Sequence, residues 1–165
     1  MPAFYFKKFE IRWSDVDANR HLGNTAYINF MSHVRMSYYT ENGFGQLQMA
    51  ENNIGPVITY ENLHYFKEIP PDRPIWVSLT LKGLSESGSV FEFIHRFYDE
   101  NGKNLATCEM MGTWIDLTTR RLTNPPTQLS RIVEELNHEN NYEKLSITDL
   151  RSNEFKPIHL DEPII

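Results

Sequence analysis

The 165-residue chain is 40% hydrophobic and carries a net charge of −6, a length and composition that predict one compact domain with a single core. Because its basic residues never run longer than pairs, such as Lys7-Lys8 and Arg120-Arg121, the sequence argues against nucleic acid as a partner. The sequence has one cysteine, Cys108, and so predicts no disulfide within the chain. It also has no signal-peptide pattern and no apolar run near the roughly 20 residues of a membrane helix. These features favour a cytoplasmic protein that does not enter a membrane.

The first predicted elements are a strand over residues 4–13 and a polar segment that follows it. In that segment Asp15, Asp17, Asn19 and His21 recur at every second residue, so an extended chain would aim all four side chains at one side. The start of the next helix would add its free N–H groups and the positive end of its dipole. Carboxylates beside a helix N-terminus indicate hydrolytic chemistry at a carbonyl group.

Other interpretations compete with a catalytic site in this segment. Asp and Asn ahead of a helix commonly serve as capping and turn residues. The Asp-x-Asp-x-Asn spacing also begins a calcium loop, but that loop needs Gly at its sixth and Glu at its twelfth position, where this chain has Arg20 and Ala26. A zinc site with Asp17 and His21 would need ligands from distant parts of the chain. The residues alone leave the capping and catalytic interpretations open.

A long helix is predicted over residues 24–41. Its apolar residues follow the spacing i, i+3, i+4, i+7 and i+11, and others lie off this stripe, so the helix should be buried on most sides. The stripe consists of Tyr27, Phe30, Met31, Val34 and Tyr38. Asn42-Gly43 should end the helix, because Gly adopts the left-handed conformation at low cost. A short second helix is predicted over 46–53.

The middle of the chain is predicted to form an antiparallel meander, because its apolar residues alternate between turn sequences. The four predicted strands are 57–66, 75–84, 90–98 and 104–117. The last three are joined by turns at 85–89 and 99–103, and the Asn-Gly pair in the second turn suits the positive φ values of a primed hairpin. His95, among phenylalanines of the 90–98 strand, is expected to be a hydrogen-bonded structural residue.

The C-terminal part is predicted to hold one surface helix, 128–139, followed by a polar, aperiodic segment. We therefore divide the chain into a domain, 1–139, and a C-terminal tail, 140–165. One buried helix and one antiparallel sheet predict an α+β fold in which the sheet wraps around the helix.

The stretch from residue 12 to 35 resembles the opening of the hotdog-fold thioesterases of the 4-hydroxybenzoyl-CoA type, which reads roughly D-x-D-x-x-G-H-V-N-N-x-x-Y before a helix that ends in an Ala-Arg pair. The matching residues are Asp15, Asp17, His21, Asn24, Tyr27 and Arg35. The departures are Arg20 for Gly, Gly23 for the first Asn, Ser32 where many members carry Glu, and Val34 for Ala. Asp17, Asn19 and His21 are also similar to the D-x-N-x-H stretch of plant acyl-carrier-protein thioesterases.

This resemblance implies a hotdog fold, an antiparallel sheet wrapped around a long central helix, and the hydrolysis of an acyl-CoA to a free acid and CoA. It implies that Asp17 acts as base or nucleophile, that Asn19 and His21 orient groups or handle protons, and that a backbone N–H near the helix start polarises the carbonyl. The candidates for substrate binding are Asn24, Tyr27, Asn62 and His64. No metal or redox cofactor is implied, since CoA is part of the substrate and product.

The family also implies a homodimer or homotetramer with a site between subunits, and the free edge of a five-stranded sheet favours the same. Three alternatives stay open. The first is a substrate carried by an acyl carrier protein, and the second is a protein that binds acyl-CoA without hydrolysing it. The third is a hotdog dehydratase or isomerase, which usually carries its His and acid on the central helix. From the Asp-x-Asn-x-His match we expect a medium-to-long acyl chain.

Overall fold

A long helix, α1 (Asn24–Glu41), lies at the centre of the structure, a computed structural model that describes residues 4–152 and 155–161. All five residues of the predicted apolar stripe are buried. The helix ends before Gly43, which takes the left-handed φ of +82°, and a short helix, α2 (Gln46–Glu51), follows. Both helix predictions are confirmed, although α2 ends two residues early. No helix in the described ranges is long and apolar enough to cross a membrane.

The described strands form one six-stranded sheet. They are β1 (Tyr5–Phe9), β2 (Ile54–Tyr65), β3 (Ile75–Ser85), β4 (Val90–Tyr98), β5 (Asn104–Asp116) and β6 (His138–Leu145). Their order is β1-β3-β4-β5-β2, with β6 also beside β3, and every pair except β3–β6 is antiparallel. The four strands of the predicted meander, β2 to β5, agree with the expected ranges to within three residues.

One face of the sheet packs against α1 and is called the inner face below. Alternation along β3, β4 and β5 puts apolar side chains on this face, including Leu79, Phe93, Phe97, Cys108 and Met110, none of which is exposed. The polar residues between them lie on the opposite, outer face. A buried helix against one face of an antiparallel sheet is the predicted α+β arrangement.

The C-terminal region differs from the prediction. The helix α3 (Thr127–Glu134) ends five residues earlier than expected, and the chain then enters β6, which crosses the predicted boundary at residues 139 and 140. β6 lies along the C-terminal half of β3, on the edge whose other half pairs with β1. Because β6 is a largely exposed edge strand held by backbone hydrogen bonds, its sequence shows no apolar alternation that could have predicted it.

The turn between β4 and β5 is not the primed hairpin that Asn101-Gly102 suggested. Only Gly102 has a positive φ, +75°. Its N–H donates to the carbonyl of Asp99 (3.0 Å), and the N–H of Asp99 donates to the carbonyl of Lys103 (3.1 Å). A three-residue loop closed in this way favours a type I turn with one left-handed glycine, which leaves Asn101 in an ordinary conformation.

Candidate active site

The polar segment between β1 and α1 is folded into a tight turn and is not extended. The N–H of Asp17 donates to the carbonyl of His21, and the N–H of Arg20 donates to the carbonyl of Asp17, both at 3.0 Å. Arg20 closes the turn with a left-handed φ of +68°. As a result Asp15 is buried while Asp17 and Asn19 are exposed, and the alternating spacing does not aim these side chains at one side.

Asp15 holds the segment against the start of α1. Its carboxylate, only 6% exposed, accepts hydrogen bonds from the backbone N–H of Arg12 (2.9 Å) and from two guanidinium nitrogens of the same residue (3.1 Å each). Burial favours the neutral acid, but these bonds and the charge of Arg12 outweigh it, so the pKa of Asp15 is lowered. The carbonyl of Asp15 also accepts the N–H of Gly23 (2.8 Å), the residue that precedes α1.

Arg20 stands where the resembled motif has Gly, and its φ shows why Gly is suited to this position. A left-handed conformation costs a residue with a side chain about 1–2 kcal/mol, part of which Gly gives back through its more flexible unfolded state. We therefore expect Arg20→Gly to raise the free energy of unfolding by up to about 1 kcal/mol, measured by chemical denaturation. Ala18→Gly, an exposed neighbour without a positive φ, should lower it. Equal losses in both variants would contradict strain at Arg20.

A cavity of about 360 Å³ lies at the start of α1. Its lining residues are Asp17, His21, Leu22, Asn24, Tyr27, Tyr65, Phe66, Lys67 and Glu68. The fold thus brings together four of the predicted site residues from the turn and the helix. Asn19 does not line the cavity, but its backbone N–H donates to Oδ1 of Asp17 (2.8 Å) and so orients that carboxylate.

Glu68 joins this cavity although the sequence analysis did not select it. Its Oε2 lies 3.0 Å from Nε2 of His21. The loop that carries Glu68 is fixed to the turn by a backbone hydrogen bond from Leu22 to the carbonyl of Ile69 (2.9 Å). Since this loop lies beyond the end of β2, neither strand alternation nor helix spacing predicted where Glu68 would point. The imidazole is partly exposed and the carboxylate largely so, and the pair therefore contributes little to stability.

The N-terminus of α1 reaches the same cavity through Asn24, which lines it. Gly23 precedes the helix without a side-chain cap. Within the described ranges, the backbone N–H groups of Asn24 and Thr25 have no hydrogen-bond acceptor. Free N–H groups at a helix start, together with the positive end of the dipole, suit an oxygen on which negative charge develops.

Tyr27 forms the apolar wall beside these donors. Its side chain is buried, and its ring lies edge-on to Tyr65, with 5.0 Å between the ring centroids. Burial, with smaller effects from nearby Tyr65 and Asp17, raises the pKa of Tyr27 to about 12. The hydroxyl therefore stays protonated at neutral pH and can only act there as a neutral donor or acceptor.

Asn62 and His64 lie on the outer face and are not part of the cavity. Their partners across the β2–β5 ladder are Glu109 and Thr107, whereas inward-facing Leu63 pairs with Cys108. A bulge between Ile58 and Tyr60 sets the phase of β2, and it is a feature of strand pairing that the sequence pattern did not reveal. In the part of the chain that the structure describes, no group of three or more His, Cys, Asp or Glu side chains is placed to hold a metal ion.

Both the sequence and the fold are similar to those of known thioesterases. The sequence profile of the thioesterase-like superfamily matches residues 11–133. The fold is similar to a 1,4-dihydroxy-2-naphthoyl-CoA thioesterase from Synechocystis (TM-score 0.71, 13% identity, covering 83% of this chain and 100% of the other). A protein from Staphylococcus aureus in complex with CoA gives a TM-score of 0.71 at 16% identity, covering 94% of this chain and 96% of the other. A gentisyl-CoA thioesterase gives 0.67 at 17% identity, covering 75% and 98%. No curated protein matches the sequence.

Proposed function

The chain belongs to the thioesterase-like superfamily and has the hotdog fold, and from this premise we propose that it hydrolyses acyl-CoA thioesters through Asp17. The observation that carries the proposal is that Asp17, the His21–Glu68 pair and the uncapped start of α1 all meet at one cavity. Two of the similar structures are named as CoA thioesterases and a third was determined with CoA, which supports CoA as the carrier.

In the proposed reaction the thioester carbonyl oxygen accepts hydrogen bonds from the backbone N–H groups of Asn24 and Thr25. These donors stabilise the negative charge that develops on that oxygen as the carbonyl is attacked. Asp17 either takes a proton from the attacking water or attacks the carbonyl itself, and the C–S bond then breaks to release CoA as the thiol. Its Oδ1 is held by the Asn19 N–H, which leaves Oδ2 to face water or substrate.

The two roles of Asp17 predict different labelling in a single turnover in H₂¹⁸O. Attack by Asp17 forms an acyl-enzyme anhydride, and water that opens it at the aspartyl carbon leaves label in the protein. Attack by water places the label in the released acid alone. The His21–Glu68 pair serves either route, because an imidazole oriented by a carboxylate can hold the water or protonate the leaving thiolate.

The test of the proposal is the release of free thiol from a panel of acyl-CoAs, read with a thiol-reactive dye. The panel covers aliphatic, aromatic and carboxylate-bearing acyl groups, and the same acyl groups on an acyl carrier protein form a second set. We expect turnover on at least one CoA thioester. Tight binding of acyl-CoAs without thiol release would indicate a non-hydrolysing protein instead, and release only from the carrier protein would reassign the carrier.

We further propose that two copies of the chain join through β2. β2 is a twelve-residue strand at one edge of the sheet, and no described strand pairs with its free side. An exposed edge of this length favours pairing with a second copy. Light scattering at micromolar concentration should give twice the 19.4 kDa mass of the chain, or four times if the dimers associate. A mass of one chain at that concentration would remove the basis for an edge-paired assembly.

A further inference from the structure

Arg35 is a buried cation whose hydrogen-bond partners are all neutral. Only 8% of the surface of this residue is exposed. Nη1 lies 3.1 Å from Nε2 of His95 and donates to Sδ of Met110 (3.0 Å), while Nη2 donates to the hydroxyl of Ser32 (3.0 Å). Among the described residues, no acceptor meets Nε or the second hydrogen of Nη2. A buried charge is costly unless it is paired, so this guanidinium can bind an anion.

His95 is a buried, hydrogen-bonded structural residue, as predicted, and it does not provide a negative charge to balance Arg35. Its Nδ1 lies 2.8 Å from the carbonyl of Ser78, which can only accept, so Nδ1 carries the hydrogen and Nε2 offers a lone pair to Arg35. Burial, and then the charge of Arg35, lower the pKa of His95 well below its ordinary value. The imidazole is therefore a fixed neutral acceptor on one side of the guanidinium.

Glu61 is the carboxylate whose charge acts on Arg35, and it makes no hydrogen bond to the guanidinium. Burial lowers the pKa of Arg35, and the charge of Glu61 is among the effects that oppose it. Glu61 lies on β2 opposite Met110, and its Oε1 is buried without a hydrogen-bond partner. It does not line the cavity beside Arg35. The cation thus faces that cavity without an anion in contact.

The cavity that Arg35 lines has a volume of about 220 Å³ and lies between α1 and β2. Apart from Arg35 and Ser32 its walls are Met36, Tyr39, Pro56, Ile58 and Phe91. A group of the size of a water molecule or a methylene occupies roughly 30 Å³, so the cavity has room for about seven such groups. One buried cation in a small, otherwise mainly apolar cavity suits a short chain with a carboxylate at its end.

Pairing of two copies through their β2 edges would bring this cavity close to the turn before α1 in the other subunit, the turn that carries Asp17. If the β2 strands pair antiparallel about their middle, the cavity residues Pro56 and Ile58 lie opposite the partner's Leu63 and the partner's Glu61, two and four residues, or roughly 7 and 13 Å along the strand, from the partner's Tyr65. Within one subunit, seven residues of strand separate Ile58 from Tyr65, a distance of roughly 23 Å. The nearer cavity for an acyl group held at one helix start is therefore that of the other subunit.

We propose that this cavity receives the far end of the acyl group and that Arg35 binds a carboxylate there, which makes the enzyme selective for CoA thioesters of short dicarboxylic acids. The inference rests on the proposed function and its edge-paired dimer. It replaces the medium-to-long acyl chain that the motif match favoured. Adipoyl-CoA fits, since the four methylenes and the three heavy atoms of the carboxylate that follow its thioester carbonyl make about seven groups of this size.

The test compares adipoyl-CoA with 6-methylheptanoyl-CoA, which has the same shape but ends in two methyl groups in place of the carboxylate oxygens. We expect kcat/KM to favour adipoyl-CoA by at least about tenfold, the effect of a charge-assisted hydrogen bond. Arg35→Met should remove this preference, and Arg131→Met, which removes an arginine of α3 away from the cavity, should keep it. Equal kcat/KM for the two thioesters in the wild-type protein would overturn the proposal.

A binding measurement decides the proposal even where Arg35→Met does not fold or no thioester is hydrolysed. In calorimetry with the wild-type protein, adipamate, which has an amide in place of the thioester and a carboxylate at its far end, should bind at least about tenfold more tightly than 6-methylheptanamide, which has no carboxylate. Weaker or equal binding of adipamate overturns the role of Arg35. If neither thioester is hydrolysed while adipamate binds preferentially, the hydrolytic function fails and the anion site stands.

Discussion

Asp17→Asn lowers kcat by at least about a hundredfold while the melting temperature stays within a few degrees of the wild type, because a general base or nucleophile contributes on the order of 10² to 10⁴ in rate. Stability is largely kept because Asp17 is exposed. Its carboxylate accepts a hydrogen bond from the Asn19 N–H, and the amide oxygen of Asn can accept the same bond. The measurements are turnover on the best thioester and thermal melting at one protein concentration. Retention of more than about a tenth of wild-type kcat would contradict the proposed mechanism.

Asp15→Asn is the matched control and should show the opposite balance. This carboxylate is buried and bound to Arg12, so its replacement should cost roughly 1–3 kcal/mol of unfolding free energy and several degrees in melting temperature. Its effect on kcat should be much smaller than that of Asp17→Asn.

The cost of Asp15→Asn should also depend on pH. Because the pKa of Asp15 is lower in the folded than in the unfolded state, its stabilisation is present above the unfolded value near 3.9 and is lost as pH falls through the folded value. The two melting temperatures should therefore converge below about pH 4. A difference that persists in strong acid would show that the charge of Asp15 is not the cause.

His21→Gln and Glu68→Gln should each lower kcat, and the double variant should be no slower than the slower single variant. Loss of the imidazole should cost about a hundredfold or more, and loss of its orienting carboxylate about tenfold to a hundredfold. Groups that act as a unit are strongly non-additive, because the second removal has little left to disturb. Steady-state kinetics on one thioester supply all four rates of this cycle.

The control for this cycle is Glu100→Gln. Glu100 pairs with Arg73 at 3.1 Å, a distance close to that of the His21–Glu68 pair, and both side chains of the Arg73–Glu100 pair are exposed. Removal of the Glu100 charge should leave kcat within about twofold of the wild-type value, since exposed ion pairs contribute little to stability and this pair lies outside the cavity that holds Asp17. Additive losses in His21→Gln and Glu68→Gln would separate Glu68 from the function of the imidazole.

The candidate site shows where local sequence information is sufficient and where it ends. Asp17, His21, Asn24 and Tyr27 were selected from a contiguous motif, and they line one cavity because the turn leads directly into the helix. Glu68 was missed because its position depends on a loop that packs against the turn from a distant part of the chain.

The sequence by itself determined the elements whose side chains are sorted by local periodicity. The spacing of the apolar stripe predicted α1, and alternation between turn residues predicted β2 to β5, because burial on one face selects an apolar residue at every repeat. The motif before α1 also identified the family to which the chain belongs.

The tertiary structure alone decided the features that depend on contacts between distant residues. The left-handed Arg20 closes a turn in the segment whose spacing would aim four side chains at one side only in an extended chain, and the bulge in β2 turns Asn62 and His64 to the outer face. β6 forms from polar residues through backbone hydrogen bonds to a neighbouring strand, and Arg35 meets His95 and Met110 across the core. In each case the determining free energy comes from a partner remote in the chain, which no local pattern records.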